Sequence, residues 1–250
     1  MPPICYHLAV ADEVIRELRS GLTEDTRGSF YLGSTAPDMR FFIGATREDT
    51  HFMSLDSEEG VSGVRNIFDV HPALAEKNSM SAQTRAFIAG YLSHLVTDEA
   101  WIFDIYRPHF GKSSPMGGDA MANLFDRLLQ FELDRRERLN SDSISSIRRD
   151  LVESASNVDV CFLDSESLDR WQDFVFMATT RKANWEGFRS FAEKYLIWMR
   201  QLSRDRIDHF FDTFDERLAQ VLETVSEQAI RGFREKSISE SIRVVEEYLG

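Results

Sequence analysis

The sequence predicts an all-α fold: a single multi-helix domain built around one buried central helix. Three features lead there. Residues 81–105 are apolar on almost every side, because Phe87, Ile88, Tyr91, Leu92, Leu95, Val96, Trp101, Ile102, Phe103 and Ile105 leave no wide polar face for water. Elsewhere apolar residues recur at helical spacing, and the strict alternation that marks a strand is weak throughout. No fixed-period repeat, low-complexity tract or Gly/Ser/Pro linker divides the 250 residues, and a chain of that length buries a core without disulfides.

Residues 3–19 read as a first amphipathic helix with Val10, Ala11, Val14, Ile15 and Leu18 on one face. His7 falls on that face, where a histidine is ordinarily a core residue satisfied by a neighbour. The period is lost over residues 20–56, at Gly28, Gly33, Pro37 and Gly44, so a structured loop is expected. Loops that long in compact domains are more often functional than idle, and this one carries Asp38 and His51. Taken singly, these two read as a turn or cap aspartate and a surface histidine.

A short helix is expected over residues 60–77, interrupted at His71-Pro72 because the residue before a proline avoids helical geometry. His71 is assigned a structural role at that bend. Asn78, Ser79 or Ser81 caps the central helix, which runs out at Arg107-Pro108 and leaves His109 as a residue for the mouth of a cleft. Residues 119–140 form a strong helix that buries Met121, Leu124, Phe125, Leu128, Leu129 and Phe131, with Asp126 and Gln130 as the polar residues to follow. Further helices are expected near 143–154, 165–180, 185–202, 204–231 and 237–249. Trp171, Trp185, Trp198 and the Phe210, Phe211, Phe214 group are read as core or groove packing, with His209 part of it.

A formal charge of −13 argues against a passive nucleic-acid or anionic-membrane binder, and a phosphate-bearing substrate would need a local cation. Cys5 and Cys161 have no bridge-network or zinc-site spacing and are expected as buried reduced thiols. With no basic-then-apolar leader and no uncharged run of membrane-spanning length, a cytoplasmic protein without a transmembrane segment is expected.

His94 and Asp98 lie four residues apart inside the central helix and therefore share a face. Burying either alone is costly, and the cost is relieved by a hydrogen-bonded partner, an ion pair or a metal ion. With His7, Asp38 and His51 they make three imidazoles and two carboxylates, the donor types of catalytic zinc sites; manganese, iron and nickel accept the same donors.

The ordered set His7-Leu-Ala, Gly33-Ser-Thr-Ala-Pro-Asp38, Thr50-His51-Phe and Gly90-Tyr-Leu-Ser-His94-Leu-Val-Thr-Asp98 resembles the bacterial zinc-dependent phospholipase C family. The resemblance covers roughly residues 1–140. It implies an all-helical domain with a zinc cluster at the base of a cleft, cleaving the phosphodiester on the glycerol side of a phospholipid; related single-strand nucleases use a similar cluster. Carried onto this chain, it implies one metal held by Asp38, His51, His94 and Asp98, and a second that shares Asp98 and takes His7. Asp38 would also orient or deprotonate the attacking water. The chain departs from the family pattern in the second half of the site, where Asp104 replaces a histidine and a His-xxx-Glu pair is missing. Asp104, Asp126 and Gln130 are the candidate substitutes, and Arg40 and Arg47 are candidates to engage phosphate.

The expectation is a zinc-dependent hydrolase of a small phosphoester or lipid-like phosphodiester, with one or two ions. Residues 1–140 would form the metal-binding core and residues 141–250 would pack on it or cover it. The missing second-half ligands support one alternative, a non-catalytic helical interaction protein stabilised by metal on the same fold.

Overall fold

The computed structural model describes residues 3–19, 22–58, 60–196 and 202–250. The fold is all-α: among the described residues there is no strand, and the β pairing is an isolated bridge between Val160 and Leu163.

Helix α1 (Ile4–Glu17) buries Leu8, Val10, Ala11, Val14 and Ile15 along its inner face. Its N-cap residue, Pro3, offers no side-chain cap. The buried Asp134 carboxylate, 129 residues away, accepts from the Cys5 amide at 2.8 Å instead and so fixes the turn that carries His7.

The stretch expected as a loop is largely helical. It contains α2 (Glu24–Gly33), a 3-10 turn (Ala36–Met39), α3 (Arg40–Ile43) and α4 (Arg47–His51). Two of the glycines read as punctuation are contact glycines inside α2. A Cβ on Gly28 would lie 1.9 Å from the Asp150 carbonyl oxygen, and one on Gly33 would lie 2.0 Å from that of Phe87. Glycine is there to let backbones touch, and the local pattern cannot distinguish that use from a turn.

Helix α5 (Gly63–Val70) stops at His71, and Pro72 opens a 3-10 turn (Pro72–Ala75), in keeping with the break expected at His71-Pro72. Ser81 caps the central helix α6 (Ala82–Ala100) by accepting from the Thr84 amide. A π-helical turn (Trp101–Tyr106) carries the helix on into α7 (Arg107–His109). His109 lies beside its neighbour Phe110.

The second half comprises α8 (Ala120–Leu139), α9 (Ser141–Asp150), α10 (Ser165–Thr180), α11 (Glu186–Phe191) with a π-helical turn (Ala192–Leu196), α12 (Arg204–Asp212), α13 (Phe214–Thr224) and α14 (Glu227–Leu249). The single helix expected over 204–231 is instead broken at Thr213 and at Val225-Ser226. Ser226 caps the 23-residue α14, so residue 237 begins nothing. Ser237 lies inside that helix, its buried hydroxyl satisfied by donating to the Phe233 carbonyl at 2.8 Å.

α6 packs between α2 and α14, with α1 against both α6 and α14. The α2–α6 contact is backbone to backbone, since a Cβ on Gly90 would lie 2.0 Å from the Phe30 carbonyl oxygen just as one on Gly33 would strike Phe87. On the other side Ser93 and Ser241 share a 3.1 Å hydroxyl hydrogen bond between α6 and α14. One cluster of buried apolar side chains runs from Cys5 to Tyr248, so C-terminal residues such as Phe233 and Val245 belong to the same core as Phe87 and Leu92. Each such fully buried side chain contributes about 1.5–3 kcal/mol of transfer free energy.

Three further expectations meet the structure here. Trp171 is buried and donates its indole N–H to Thr35 Oγ1, while Trp185, Phe188, Phe211 and Phe214 pack as a group of rings; Trp198 lies outside the described residues. His209 is exposed rather than packed, because α12 turns Phe210 inward and puts its neighbour on the outer face. Cys5 is buried, but Cys161 is exposed in the turn of the Val160–Leu163 bridge, its Sγ 3.7 Å from His71 Nδ1. No helix among the described residues is long and apolar enough to cross a membrane.

Candidate metal centre

Four elements converge on Asp98 of α6. α1 brings His7, whose Nε2 is 3.6 Å from Asp98 Oδ1. α4 brings His51, whose Nε2 is 3.1 Å from Asp98 Oδ2 and 3.6 Å from Asp38 Oδ1 in the 3-10 turn. α6 itself supplies His94, one turn before Asp98, with Nε2 3.4 Å from Asp98 Oδ2 and 3.4 Å from His51 Nε2. The His7 and His94 rings stack with centroids 3.9 Å apart. His7, His51, His94 and Asp98 are buried, and Asp38 is the member that meets solvent, its side chain 21% exposed.

Local structure explains each placement. The close approach of α2 and α6 through Gly33 and Gly90 sets the Ser34 carbonyl 2.8 Å from His94 Nδ1. A carbonyl only accepts, so Nδ1 donates there and Nε2 faces the centre, its lone pair available when the ring is neutral. Thr46 and Asp49 form a reciprocal capping box that starts α4, so Arg47 and His51, four residues apart on one turn, share a face. Phe52 ends the helix with φ of 55°, in the left-handed region. The Tyr91 hydroxyl donates to the Thr50 carbonyl, and Thr50 Oγ1 lies 3.0 Å from His51 Nδ1.

The donor set is close-packed, and two of its atoms have no hydrogen to meet. His51 Nε2, His94 Nε2 and Asp98 Oδ2 lie 3.1–3.4 Å from one another. His7 Nε2 and Asp98 Oδ1 are buried without a hydrogen-bond partner. A polar atom buried without a partner is costly, and a divalent cation held between these donors would satisfy both. Two overlapping groups, His7 with His94 and Asp98, and Asp38 with His51 and His94, each place three ligand atoms within 4.8 Å of one another. Nitrogen and oxygen donors of this kind suit zinc.

The protonation equilibria carry the same strain. Burial, with the charge on His94, pushes the His7 imidazole down to about 3. Burial works against charge on His94 too, but Asp98 and Asp38 outweigh it and raise that imidazole's pKa. Burial disfavours both carboxylates, yet the imidazoles around them hold Asp98 and Asp38 well below the usual carboxylate range.

The other sequence candidates go elsewhere or arrive differently. Asp104 pairs with Lys236 at 2.7 Å on the α14 side. Asp126 accepts from the Trp101 indole at 3.0 Å and from Gln130 at 2.7 Å, and Gln130 in turn accepts from Arg127. None of the three belongs to either ligand group. The reason is packing: the π-helical turn and α8 commit these polar groups to one another and to α14. Arg47 does point inward, its side chain 8% exposed and one terminal nitrogen 3.4 Å from Asp98 Oδ2. Arg40 is half-buried, and its charge is felt at Arg47. Residue types alone did not mark the Ser34 carbonyl, Thr50 or Asp134; the Thr46-x-x-Asp49 capping signature is the signal that could have placed Arg47 and His51 together.

Comparison with curated proteins and with solved structures gives no match. A family model described as zinc dependent phospholipase C matches residues 6–151, more than half of the chain and every residue of the converging set. Motif order, an all-helical fold and a buried His/Asp donor set therefore agree, and the chain belongs to the zinc-dependent phospholipase C family.

Proposed function

We propose that the protein is a metal-dependent hydrolase that cleaves a phosphoester, with a phosphodiester as the favoured substrate. The observation that carries the reading is the pair of orphaned buried atoms, His7 Nε2 and Asp98 Oδ1, within a converging His/Asp donor set in a family that binds zinc. Asp38, His51, His94, Asp98 and His7 would hold the ion. When bound, zinc supplies Lewis acidity toward a phosphoryl oxygen and brings the pKa of a water toward neutrality.

The chain's own groups define the rest. Asp38 is the solvent-facing member and is ionised through the neutral range, so it accepts a hydrogen bond from the attacking water and aims it. Water oxygen bonds to phosphorus and gives up a proton to Asp38 or to solvent, and the ester P–O bond breaks with its electron pair going to the departing alkoxide, which takes up a proton from solvent to leave as the alcohol. Arg47 and Arg40 bring positive charge to the side where the phosphoryl group would sit. A small or lipid-like diester fits better than a long polyanion, which a chain of net charge −13 would repel.

The test is hydrolysis of bis-p-nitrophenyl phosphate and of short-chain phosphatidylcholine by the zinc-loaded protein, with Asp38→Asn as the control. Turnover that falls about 100-fold or more in Asp38→Asn, with zinc retained, supports the reading. A zinc-loaded protein that hydrolyses neither diester, or whose Asp38→Asn variant is equally active, contradicts it and favours the interaction protein.

A further inference from the structure

We infer that Glu99 is a positioning residue for the metal centre: from α6 it caps α5, and α5 in turn holds the end of α4 that carries His51. The inference rests on the metal reading of the His/Asp set and concerns a residue outside that set.

Asp98 and Glu99 are successive residues of α6, so their side chains leave the helix about 100° apart. Asp98 faces the donor set, and Glu99 faces the first turn of α5. Its Oε1 accepts from the Ser62 hydroxyl at 3.0 Å and from the Val64 amide at 3.3 Å. Val64 is the second residue of α5, where an amide has no partner within its own helix. Ser62, at the N-cap position, makes no side-chain cap of its own, so the carboxylate supplies one from a neighbouring helix and meets the positive end of the helix dipole.

The turn held in this way bears directly on His51. A Cβ on Gly63 would lie 2.2 Å from the His51 carbonyl oxygen and 3.5 Å from Glu99 Oε1, so α5 and α4 touch backbone to backbone at that glycine. Three residues on, the Asn66 side-chain amide donates to the Phe52 carbonyl at 2.9 Å. Phe52 is the left-handed residue that ends α4, a conformation that persists where its neighbours fix it. Apolar packing gives α5 little other anchorage. Gly63 and Ile67 are its buried residues, and a cleft of about 980 Å³ lies along it, lined by Val64 and Phe68 of α5 and by Val244 and Tyr248 of α14. Without Glu99 the first turn of α5 is free to move away from α4. The end of α4 then loses its support, and His51 Nε2 shifts relative to Asp98 Oδ2, now 3.1 Å away.

The experiment measures zinc affinity of the full chain by competition against a chromophoric chelator, with urea unfolding of each variant in parallel. Glu99→Ala should bind zinc about tenfold more weakly than the parent, whereas Glu99→Gln, whose side-chain carbonyl still accepts from Ser62 and Val64, should stay within about threefold. Asn66→Ala frees the Phe52 carbonyl and should also weaken zinc binding; it is the deciding variant where Glu99→Ala does not fold. Val245→Ala removes buried methyl groups from α14 and should lower the urea midpoint with zinc affinity unchanged. Unchanged zinc affinity in Glu99→Ala or in Asn66→Ala overturns the inference. Equal weakening in Glu99→Gln also overturns it, by making the charge beside Asp98 the cause, as does weakening in Val245→Ala, by making zinc affinity follow global stability. A parent that takes up no zinc removes the metal reading itself, and this inference with it.

Discussion

Replacing Gly90 by alanine tests how the fold positions the centre. A Cβ at residue 90 would lie 2.0 Å from the Phe30 carbonyl oxygen and 2.9 Å from the Ser34 nitrogen, both backbone atoms of one tight junction. The first distance is about 1.4 Å inside the 3.4 Å at which ordinary contact begins, so α2 must move bodily away from α6. Ser34 moves with it. Its carbonyl now holds His94 Nδ1 at 2.8 Å, and a displacement of that size takes the bond beyond hydrogen-bonding range. Overpacking of this kind costs about 1–3 kcal/mol, and the lost hydrogen bond at a buried imidazole adds about 1 kcal/mol, for a total of about 2–4 kcal/mol. Gly232 in α14 is the internal control. It is exposed with nothing within 4 Å of its Cβ position, so Gly232→Ala should stabilise by about 0.5–1 kcal/mol through helix propensity alone. The assay is urea unfolding followed by circular dichroism, with zinc affinity measured by competition against a chromophoric chelator. A Gly90→Ala midpoint within about 0.5 kcal/mol of the parent, with unchanged zinc affinity, would refute the claim that this backbone contact sets His94.

Thr46→Ala removes the hydroxyl half of the capping box at α4 and should cost about 1 kcal/mol in urea unfolding, with weaker zinc binding because His51 and Arg47 leave the same turn. In metal-free protein His7 is held neutral at about 3 against an ordinary value of 6.5, so the unfolded chain takes up the proton first as the solution is acidified. The parent should therefore lose stability relative to His7→Asn as pH falls from about 6.5 toward about 3; a flat difference between their urea midpoints would contradict the burial of His7. Cys161 is exposed and Cys5 is buried with a raised pKa, so a thiol reagent should label one cysteine in the native protein and both in denaturant, counted by mass spectrometry.

The central helix was legible because the apolar residues around His94 and Asp98 leave them no surface to reach, and a four-residue step on a helix admits one relative orientation. The N-terminal strip carrying His7 and the stop at His71-Pro72 were legible for similarly local reasons. Residues 24–51 were not, because glycine serves turns and close helix contacts alike and the Asp150 and Phe87 carbonyls that Gly28 and Gly33 touch are distant in sequence. The same limit hid the fate of Asp104, which depends on Lys236 arriving from 132 residues away, and the Asp134 cap on α1. The family resemblance ordered the candidate donors, but the inward turn of Arg47 follows from a capping box and from side-chain packing that no motif spacing encodes.

Zinc K-edge X-ray absorption on protein purified without chelator tests the central claim most directly, with a His94→Ala, Asp98→Ala double variant beside it. The structure leads us to expect a first shell of nitrogen and oxygen only, at about 2.0–2.2 Å, with imidazole outer-shell scattering in the parent and no bound zinc in the variant. A sulfur shell near about 2.3 Å, or zinc held equally well by the double variant, would place the metal elsewhere in the chain and contradict the account.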